Sequence, residues 1–336
     1  MWIGFSFVDL ALGGAQIFLV QLAQGLAKRG HRISYFLSTP RKDKIHAAPE
    51  LVSAIDGAAS MVNHPNRLLS CQVIQLDGYH SLARKIPYLF SIGRCVETFH
   101  SEYSVKRSGP LYAHYKVTNS KMVQMLLKAP SYLIYQGVPL PQEHTSSPTN
   151  FDIAILGRIH PVKNHLLFLQ ICERLFLERG KLEALIIGGH PTSSAYQRQI
   201  DGEINRLRDS GLNLHITNDI PPYDVYKWLS QARLLLITSK TEGFGRMAIE
   251  AMACKVPVIA NPVGGLLEII EDGKNGYFAQ IDAVPSFTEL SNSLLDNEKL
   301  RDKLGGQGRL LVEKCFSIDQ MLDSYEALYQ EVIKGR

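Results

Sequence analysis

The sequence lacks the features that mark several protein classes. Its 336 residues contain no uninterrupted apolar run of about 18 residues, the length that spans a bilayer. Glycine (26) and proline (16) are scattered, which excludes collagen-like and low-complexity chains. The cysteines are odd in number and at least 24 positions apart, which fits neither a disulfide framework nor a CxxC metal or redox site: Cys71, Cys95, Cys172, Cys254 and Cys315.

What remains is typical of a folded, two-domain protein. At about 100–200 residues per domain, the length suggests two domains, and the chain is 45% apolar and 20% charged. Met1 to Gly14 is apolar but has neither the basic region nor the cleavage pattern of a signal peptide. We therefore expect a first strand and loop there, and a cytoplasmic location.

The charge is divided unevenly along the chain. The first 145 residues carry 15 Lys and Arg against 8 Asp and Glu, a net +7, whereas the remainder carries 21 against 24, a net −3. A basic first part suits an anionic partner, such as a phosphorylated or lipid-linked substrate or an anionic membrane surface. Because no dense basic run occurs, solvated surface lysines without a role are the alternative.

Strand-length apolar stretches alternate with amphipathic helical stretches, and this pattern occurs twice. It predicts an α/β protein of two Rossmann-like, doubly wound domains facing each other across a cleft, lined by the carboxyl ends of the strands. We expect the first domain over residues 1–145, the second over 146–317, and a final helix over 318–336 that crosses back to the first. The polar, proline-bearing segment Pro139 to Asn150 is the predicted linker.

The segment Thr238 to Asn261 (TSKTEGFGRMAIEAMACKVPVIAN) holds the strongest candidate site. A glycine-bearing loop follows a predicted strand and opens a helix, an arrangement that suits a phosphate or a polar sugar. Glu250 lies on the otherwise apolar helix, so a buried carboxylate there needs hydrogen-bond donors, and ribose hydroxyls would supply them. The alternative is a helix whose single polar stripe faces water.

Three further segments follow predicted strands. In GRIHPVKN (Gly157 to Asn164), Arg158 and Lys163 can grip a diphosphate together; the alternative is a pair of surface cations. The LGGAQ turn (Leu12 to Gln16) can aim N–H groups at an anion, or is a tight turn without a ligand. His100 ends a predicted strand and is either a site residue or a structural histidine.

Together these motifs resemble family-four glycosyltransferases, the retaining, nucleotide-sugar-dependent enzymes of GT-B fold. The resemblance runs through GGAQ, GH, TFH, TNS, QGV, GRIHPVKN, EGFGRMAIEAMA, VPVIA, VGG and DGKNGYF. Glu242 and Glu250 have the E-x7-E spacing of the family. At Lys255 the chain departs from the common glycine, so we expect this helix to end in another way.

The resemblance implies roles for individual residues. Arg158 and Lys163 would neutralise the donor diphosphate, Glu250 would hold the ribose hydroxyls, and Glu242 would approach the sugar ring. Other donor-side contacts would come from Gly14, Phe244, Gly245, Arg246 and Met247. The acceptor side would be lined by Gly13, Gln16 and His100, with His100 orienting the donor sugar. The implied catalytic set is His100, Glu242, Arg158 and Lys163.

The implied reaction is transfer of a hexose, with UDP-glucose as the expected donor, to a saccharide or lipid-linked saccharide. The resemblance implies front-face attack with retention and without a metal, and the chain contains no Asp-x-Asp pair. A nucleotide-sugar epimerase and a catalytically silent nucleotide-sugar-binding subunit are the alternatives. A glycoside hydrolase needs no diphosphate clamp, and a dinucleotide oxidoreductase is disfavoured because GxGxxG is missing. We expect no nucleic-acid partner.

Overall fold

The computed structural model describes residues 1–11, 13–39, 48–77, 88, 93–107, 115–141, 150–189, 195–218, 220–221 and 224–335. The chain divides into two compact units, one formed by Met1–Gly137 with Phe316–Arg336 and the other by Val138–Cys315. The division at Gly137 precedes the boundary predicted at residue 145. Most of the predicted linker, residues 142–149, lies outside the described residues.

The first unit contains a seven-stranded sheet in which every pair of neighbours is parallel, in the order β3-β2-β1-β4-β5-β6-β7. Its strands are β1 Trp2–Phe7, β2 Arg32–Leu37, β3 Ser60–Met61, β4 Val73–Asp77, β5 Cys95–Phe99, β6 Tyr115–Thr118 and β7 Tyr132–Leu133. Its helices are α1 Gly14–Lys28, α2 Pro49–Asp56, α3 Glu102–Arg107, α4 Lys121–Leu127 and the C-terminal helix Ile318–Lys334.

The C-terminal helix Ile318–Lys334 completes the core of the first unit. A Cβ added at Gly25 in α1 would lie 2.6 Å from a methyl carbon of Leu322, so glycine allows the two helices to touch. The hydroxyl of the buried Tyr329 donates to Gln75 Oε1 on β4 over 2.8 Å. The end of the chain is therefore joined to the first sheet by apolar packing and by a buried hydrogen bond.

The second unit contains a six-stranded parallel sheet in the order β10-β9-β8-β11-β12-β13. The strands are β8 Phe151–Leu156, β9 Glu183–Gly189, β10 Asn213–Asn218, β11 Ala232–Ile237, β12 Val258–Ala260 and β13 Gly276–Phe278. The helices are α5 His165–Arg179, α6 Ala195–Asp209, α7 Val225–Leu229, α8 Arg246–Ala253, α9 Leu266–Ile269, α10 Val284–Leu295 and α11 Glu298–Cys315; the C-terminal helix is α12.

These two parallel sheets confirm the predicted fold class. The pattern missed β3, β7 and β13, which have only two or three residues each and give no alternation to detect. It also missed α6, whose buried side chains are few: Gln197, Ile200, Ile204 and Leu207. Within the described part of the chain, no helix is both long enough and apolar enough to cross a membrane.

The expectation for Lys255 was wrong. The residue takes the left-handed conformation, with φ of +59°, directly after α8 and its flanking Cys254. This is the conformation in which glycine commonly ends a helix. The helix thus keeps the glycine-type ending with a lysine, which carries the steric cost of a Cβ in that conformation.

Candidate functional site

Two loops of the second unit leave the sheet at the same edge. Strands β8 and β11 are parallel neighbours, so the loops that follow Leu156 and Ile237 emerge side by side. The backbone N–H of Lys240 donates to Val162 O over 2.8 Å, which joins the two loops directly. The chain order of the elements therefore brings GRIHPVKN beside TEGFGRM.

Lys163 and Glu242 form an ion pair across these loops. Lys163 Nζ lies 2.6 Å from Glu242 Oε1, and the two side chains are 22% and 10% exposed. Gly157 has φ of +144°, and a Cβ there would lie 3.4 Å from Lys163 Cγ and Cε. The lysine stem therefore lies against the glycine backbone and carries its ammonium group to the carboxylate.

Glu250 and Arg246 form a second pair one helical turn apart on α8. Arg246 Nε donates to Glu250 Oε1 over 2.8 Å, and the residues are 9% and 8% exposed. Burial raises the pKa of Glu250, while the charges of Arg246 and Lys163 act in the opposite direction. The sequence predicted that Glu250 needs donors, and a side chain of the same helix supplies one of them.

Three glycines shape the start of α8. Gly245, with φ of +98°, flanks the helix in the left-handed conformation. Gly264 has φ of +56°, and a Cβ there would lie 1.7 Å from Glu242 O; the N–H of Gly265 donates to the same carbonyl over 3.2 Å. Only glycine at position 264 leaves room for the Glu242 carbonyl, and this contact holds the backbone of Glu242 against the Gly264–Gly265 segment.

The remaining donor-side candidates differ in exposure. Arg158 is exposed and has no hydrogen bond or ion pair to any described residue. Burial and the charges of Arg158 and Lys163 together lower the pKa of His160, so both cations lie within electrostatic range of that ring. Phe244 and Met247 are buried, so contacts with a ligand at these two positions would come mainly from the backbone.

The first unit carries the other predicted residues. Gly13 flanks α1 in an extended conformation and Gly14 opens the helix in an exposed position. Gln16 Nε2 donates to Asp9 Oδ1 over 2.9 Å, and its Oε1 would lie 2.7 Å from a Cβ at Gly13. Gln16 is thus folded over the Gly13 backbone and tied to the end of β1; Leu12 lies outside the described residues.

His100 is buried directly after β5. Its ring packs edge-on against Phe18 of α1, with centroids 5.0 Å apart, and burial lowers the pKa of the imidazole to about 3. Gln136 Nε2 lies 3.2 Å from Nδ1. Because an amide nitrogen only donates, the neutral ring carries its proton on Nε2. That Nε2 is buried without a hydrogen-bond partner among the described residues, a state that costs about 1–3 kcal/mol unless a ligand or water accepts a hydrogen bond from it.

Sequence reasoning missed a buried polar group at the edge of the second sheet. Asn261 follows β12 directly and is fully buried, with hydrogen bonds to Thr238, Ser239 and Asp282. A polar residue immediately after a buried parallel strand was the signal, since such residues lie at the ligand-binding edge of α/β sheets. Across the described ranges, no cluster of three His, Cys, Asp or Glu side chains is arranged to hold a metal ion.

A sequence profile described as glycosyl transferases group 1 matches residues 139–311, which include the Lys163–Glu242 and Arg246–Glu250 pairs. The chain belongs to this family. That membership confirms the predicted resemblance to family-four glycosyltransferases.

Two curated relatives illustrate the similarity. The chain is 32% identical over 126 residues to N-acetyl-alpha-D-glucosaminyl L-malate synthase of Bacillus anthracis, an alignment covering 36% of this chain and 33% of that protein. It is 28% identical over 262 residues to D-inositol 3-phosphate glycosyltransferase of a Nocardioides species, covering 69% and 56%. The chain thus spans between a third and about half the length of these relatives.

Solved structures share the fold. A glycosyltransferase from Rickettsia africae superposes with a TM-score of 0.79 at 18% identity, covering 100% of this chain and 99% of that one. Anabaena HepE, solved in complex with UDP-glucose, superposes with a TM-score of 0.76 at 16% identity, covering 100% of both chains. At these identities the likeness establishes the fold alone.

Proposed function

We propose that this family member transfers a hexose from a nucleoside diphosphate sugar with retention of configuration, without a metal. The observation that carries the proposal is the pairing at the start of α8, where Lys163 meets Glu242 and Arg246 meets Glu250 inside the family-matched segment. Cations and carboxylates next to a glycine-shaped helix start suit a diphosphate and the hydroxyls of ribose and hexose.

In the proposed reaction, the bond between the sugar C1 and the β-phosphate oxygen breaks while the acceptor oxygen bonds to C1 from the same face. The acceptor proton passes to the departing phosphate oxygen, so no protein nucleophile is required. Negative charge grows on the nucleoside diphosphate as it leaves. Lys163 and Arg158 stabilise that charge more in the transition state than in the ground state, which lowers the barrier.

The first unit takes the acceptor side in this proposal. Gly14, an exposed residue at the start of α1, offers its backbone N–H to the distal phosphate of the donor, while Gly13 and Gln16 line the acceptor position. His100 orients the donor sugar by donating from Nε2 to a hydroxyl, because its lowered pKa keeps the ring neutral at physiological pH.

The donor we propose is UDP-glucose, which is the ligand named for one structure of Anabaena HepE. The net charge of +7 over the first 145 residues supports an anionic acceptor, such as a lipid-linked saccharide at an anionic membrane surface. We propose that the protein acts in the cytoplasm.

Incubation with UDP-glucose, GDP-mannose and UDP-N-acetylglucosamine in turn, with EDTA present, tests the proposal. We expect slow release of the nucleoside diphosphate and free sugar from one donor, and loss of that release in Lys163→Met. Release of a nucleotide with an epimerised sugar would favour the epimerase. Binding without turnover, with any donor and with added saccharide acceptors, would favour a silent binding subunit.

A further inference from the structure

Asn261 lies at the centre of a hydrogen-bond network in the second unit. Its Nδ2 approaches Thr238 O at 3.1 Å, Ser239 O at 3.2 Å and Asp282 Oδ1 at 3.0 Å. Thr238 and Ser239 directly follow β11, whereas Asp282 lies four residues after β13. One buried amide therefore joins the loops that follow three strands of the sheet.

Asp282 hydrogen-bonds Asn261 through its own backbone N–H and also contacts a fourth loop, the one that follows β8. Its backbone N–H donates to Asn261 Oδ1 over 3.1 Å, so the two residues are bonded in both directions. Its Oδ1 also accepts from Asn164 Nδ2 over 3.2 Å, and Asn164 is the residue directly after Lys163. Asp282 is itself exposed, so its second carboxylate oxygen can face solvent while the first accepts both amides.

Thr238 carries the network to Lys163 itself. Its hydroxyl donates to Lys163 O over 2.8 Å and also lies 3.2 Å from Asn164 O. The backbone of Lys163 is thus held by Thr238 on one side and by the Asn164 to Asp282 contact on the other. From that fixed backbone, Lys163 Nζ reaches Glu242 at 2.6 Å.

We propose that Asp282 and Asn261 are positioning residues that set where the Lys163 ammonium group lies, and hence how it meets the donor diphosphate. The second half of this statement rests on the proposed function. A lysine has a long, flexible stem, so the position of its ammonium group depends on a fixed backbone. A small displacement of the Lys163 ammonium group would strongly weaken its stabilisation of the diphosphate charge, because charge-assisted hydrogen bonds require short distances.

The test measures the acetylation rate of each lysine by acetic anhydride, using peptide mass spectrometry. In Asp282→Ala we expect Lys163 to react about fivefold faster, corresponding to about 1 kcal/mol of lost pairing with Glu242. In Asp282→Asn the remaining oxygen still accepts from both amides, so the rate returns to the wild-type value. Lys106, which pairs with Glu102 at 2.5 Å on α3 of the first unit, serves as the internal reference, because none of the substituted residues contacts that pair.

Asn275→Ala is the matched control for lost stability. Asn275 is buried in the same unit and makes two comparable bonds, to Ile269 O at 3.0 Å and from Glu271 N at 2.8 Å. It should lower the melting temperature and leave the Lys163 rate unchanged. An unchanged rate in Asp282→Ala, or an equal rise in Asn275→Ala, overturns the positioning role.

Protection of wild-type Lys163 by added UDP distinguishes the two proposals. Protection that weakens in Asp282→Ala and recovers in Asp282→Asn supports both. Absence of protection in the wild type, together with faster labelling in Asp282→Ala, counts against the diphosphate role of Lys163 and leaves its positioning by Asp282 standing.

Discussion

Replacing Glu242 with glutamine should strengthen nucleotide binding while it weakens turnover. In the structure Lys163 Nζ is already engaged by the Glu242 carboxylate at 2.6 Å, in a pair whose side chains are only 22% and 10% exposed. A donor diphosphate must therefore compete with a carboxylate for the same ammonium group. Glutamine keeps the shape of the side chain and removes the charge that competes.

The size of the effect follows from the kind of hydrogen bond that is exchanged. A bond to a charged group contributes about 1.5–3 kcal/mol and a neutral bond about 0.5–1.5 kcal/mol, so the substitution removes about 1 kcal/mol of competition. UDP should then bind about fivefold more tightly. Lys163→Met removes the ammonium group itself and should weaken UDP binding by about 1.5–3 kcal/mol, which is tenfold or more.

Isothermal titration calorimetry with UDP measures both affinities, and donor hydrolysis measures turnover. Glu271→Gln is the control, because it removes a carboxylate from the exposed Glu271 to Lys274 pair at 2.7 Å in the same unit. It should leave UDP affinity unchanged. If Glu242→Gln weakens UDP binding as Lys163→Met does, then the Glu242 carboxylate supports the phosphate site and does not compete with the diphosphate for Lys163.

Three further outcomes follow from the burial and backbone geometry. Burial lowers the pKa of His100 from about 6.5 to about 3, so the free energy of unfolding should fall by about 2 kcal/mol between neutral pH and pH 5 as the unfolded histidine takes up a proton. Urea unfolding at neutral pH and at pH 5 should show that His100→Asn lacks this part of the loss. Because burial raises the pKa of Glu250, the ionised carboxylate lowers the free energy of unfolding at pH values above that pKa. The free energy of unfolding of Glu250→Gln should therefore exceed that of the wild type most at pH 8, and by less as the pH falls towards about 4.3, while the affinity for UDP drops. Lys255→Gly should raise the free energy of unfolding by about 0.5–1 kcal/mol, since φ is +59° there, and a decrease would mean that the lysine side chain contributes more than its strained backbone costs.

The fold was predictable because its signal is repeated many times. Each buried parallel strand, such as β8 or β11, is a continuous apolar run followed by an amphipathic helix, and this alternation specifies crossover connections. The short edge strands were not predictable, because two or three residues such as Ser60–Met61 contain no period. Lys255 shows the limit of residue preference, since the turn after α8 imposes a left-handed conformation on a residue that disfavours it.

Within the site, the sequence identified the charged groups but not their partners. Glu250 was expected to depend on ligand hydroxyls, yet Arg246 lies one turn earlier and donates to it at 2.8 Å. Positions i and i+4 face each other on a helix, so this partner was available from spacing alone. The Lys163 to Glu242 contact was not, because it joins residues 79 positions apart and depends on β8 and β11 being neighbours.

The same sheet order explains why the short polar residues Asn261 and Thr238 matter to the charged residue Lys163. Loops after adjacent parallel strands meet at one edge, and each loop exposes backbone carbonyls and N–H groups that must find partners there. Asn261 and Thr238 satisfy those groups, at 3.1 Å and 2.8 Å, with side chains too short to move far. A long side chain such as Lys163 can then be precise in position although it is flexible by itself, because the short polar residues beneath it have already fixed the backbone from which it extends.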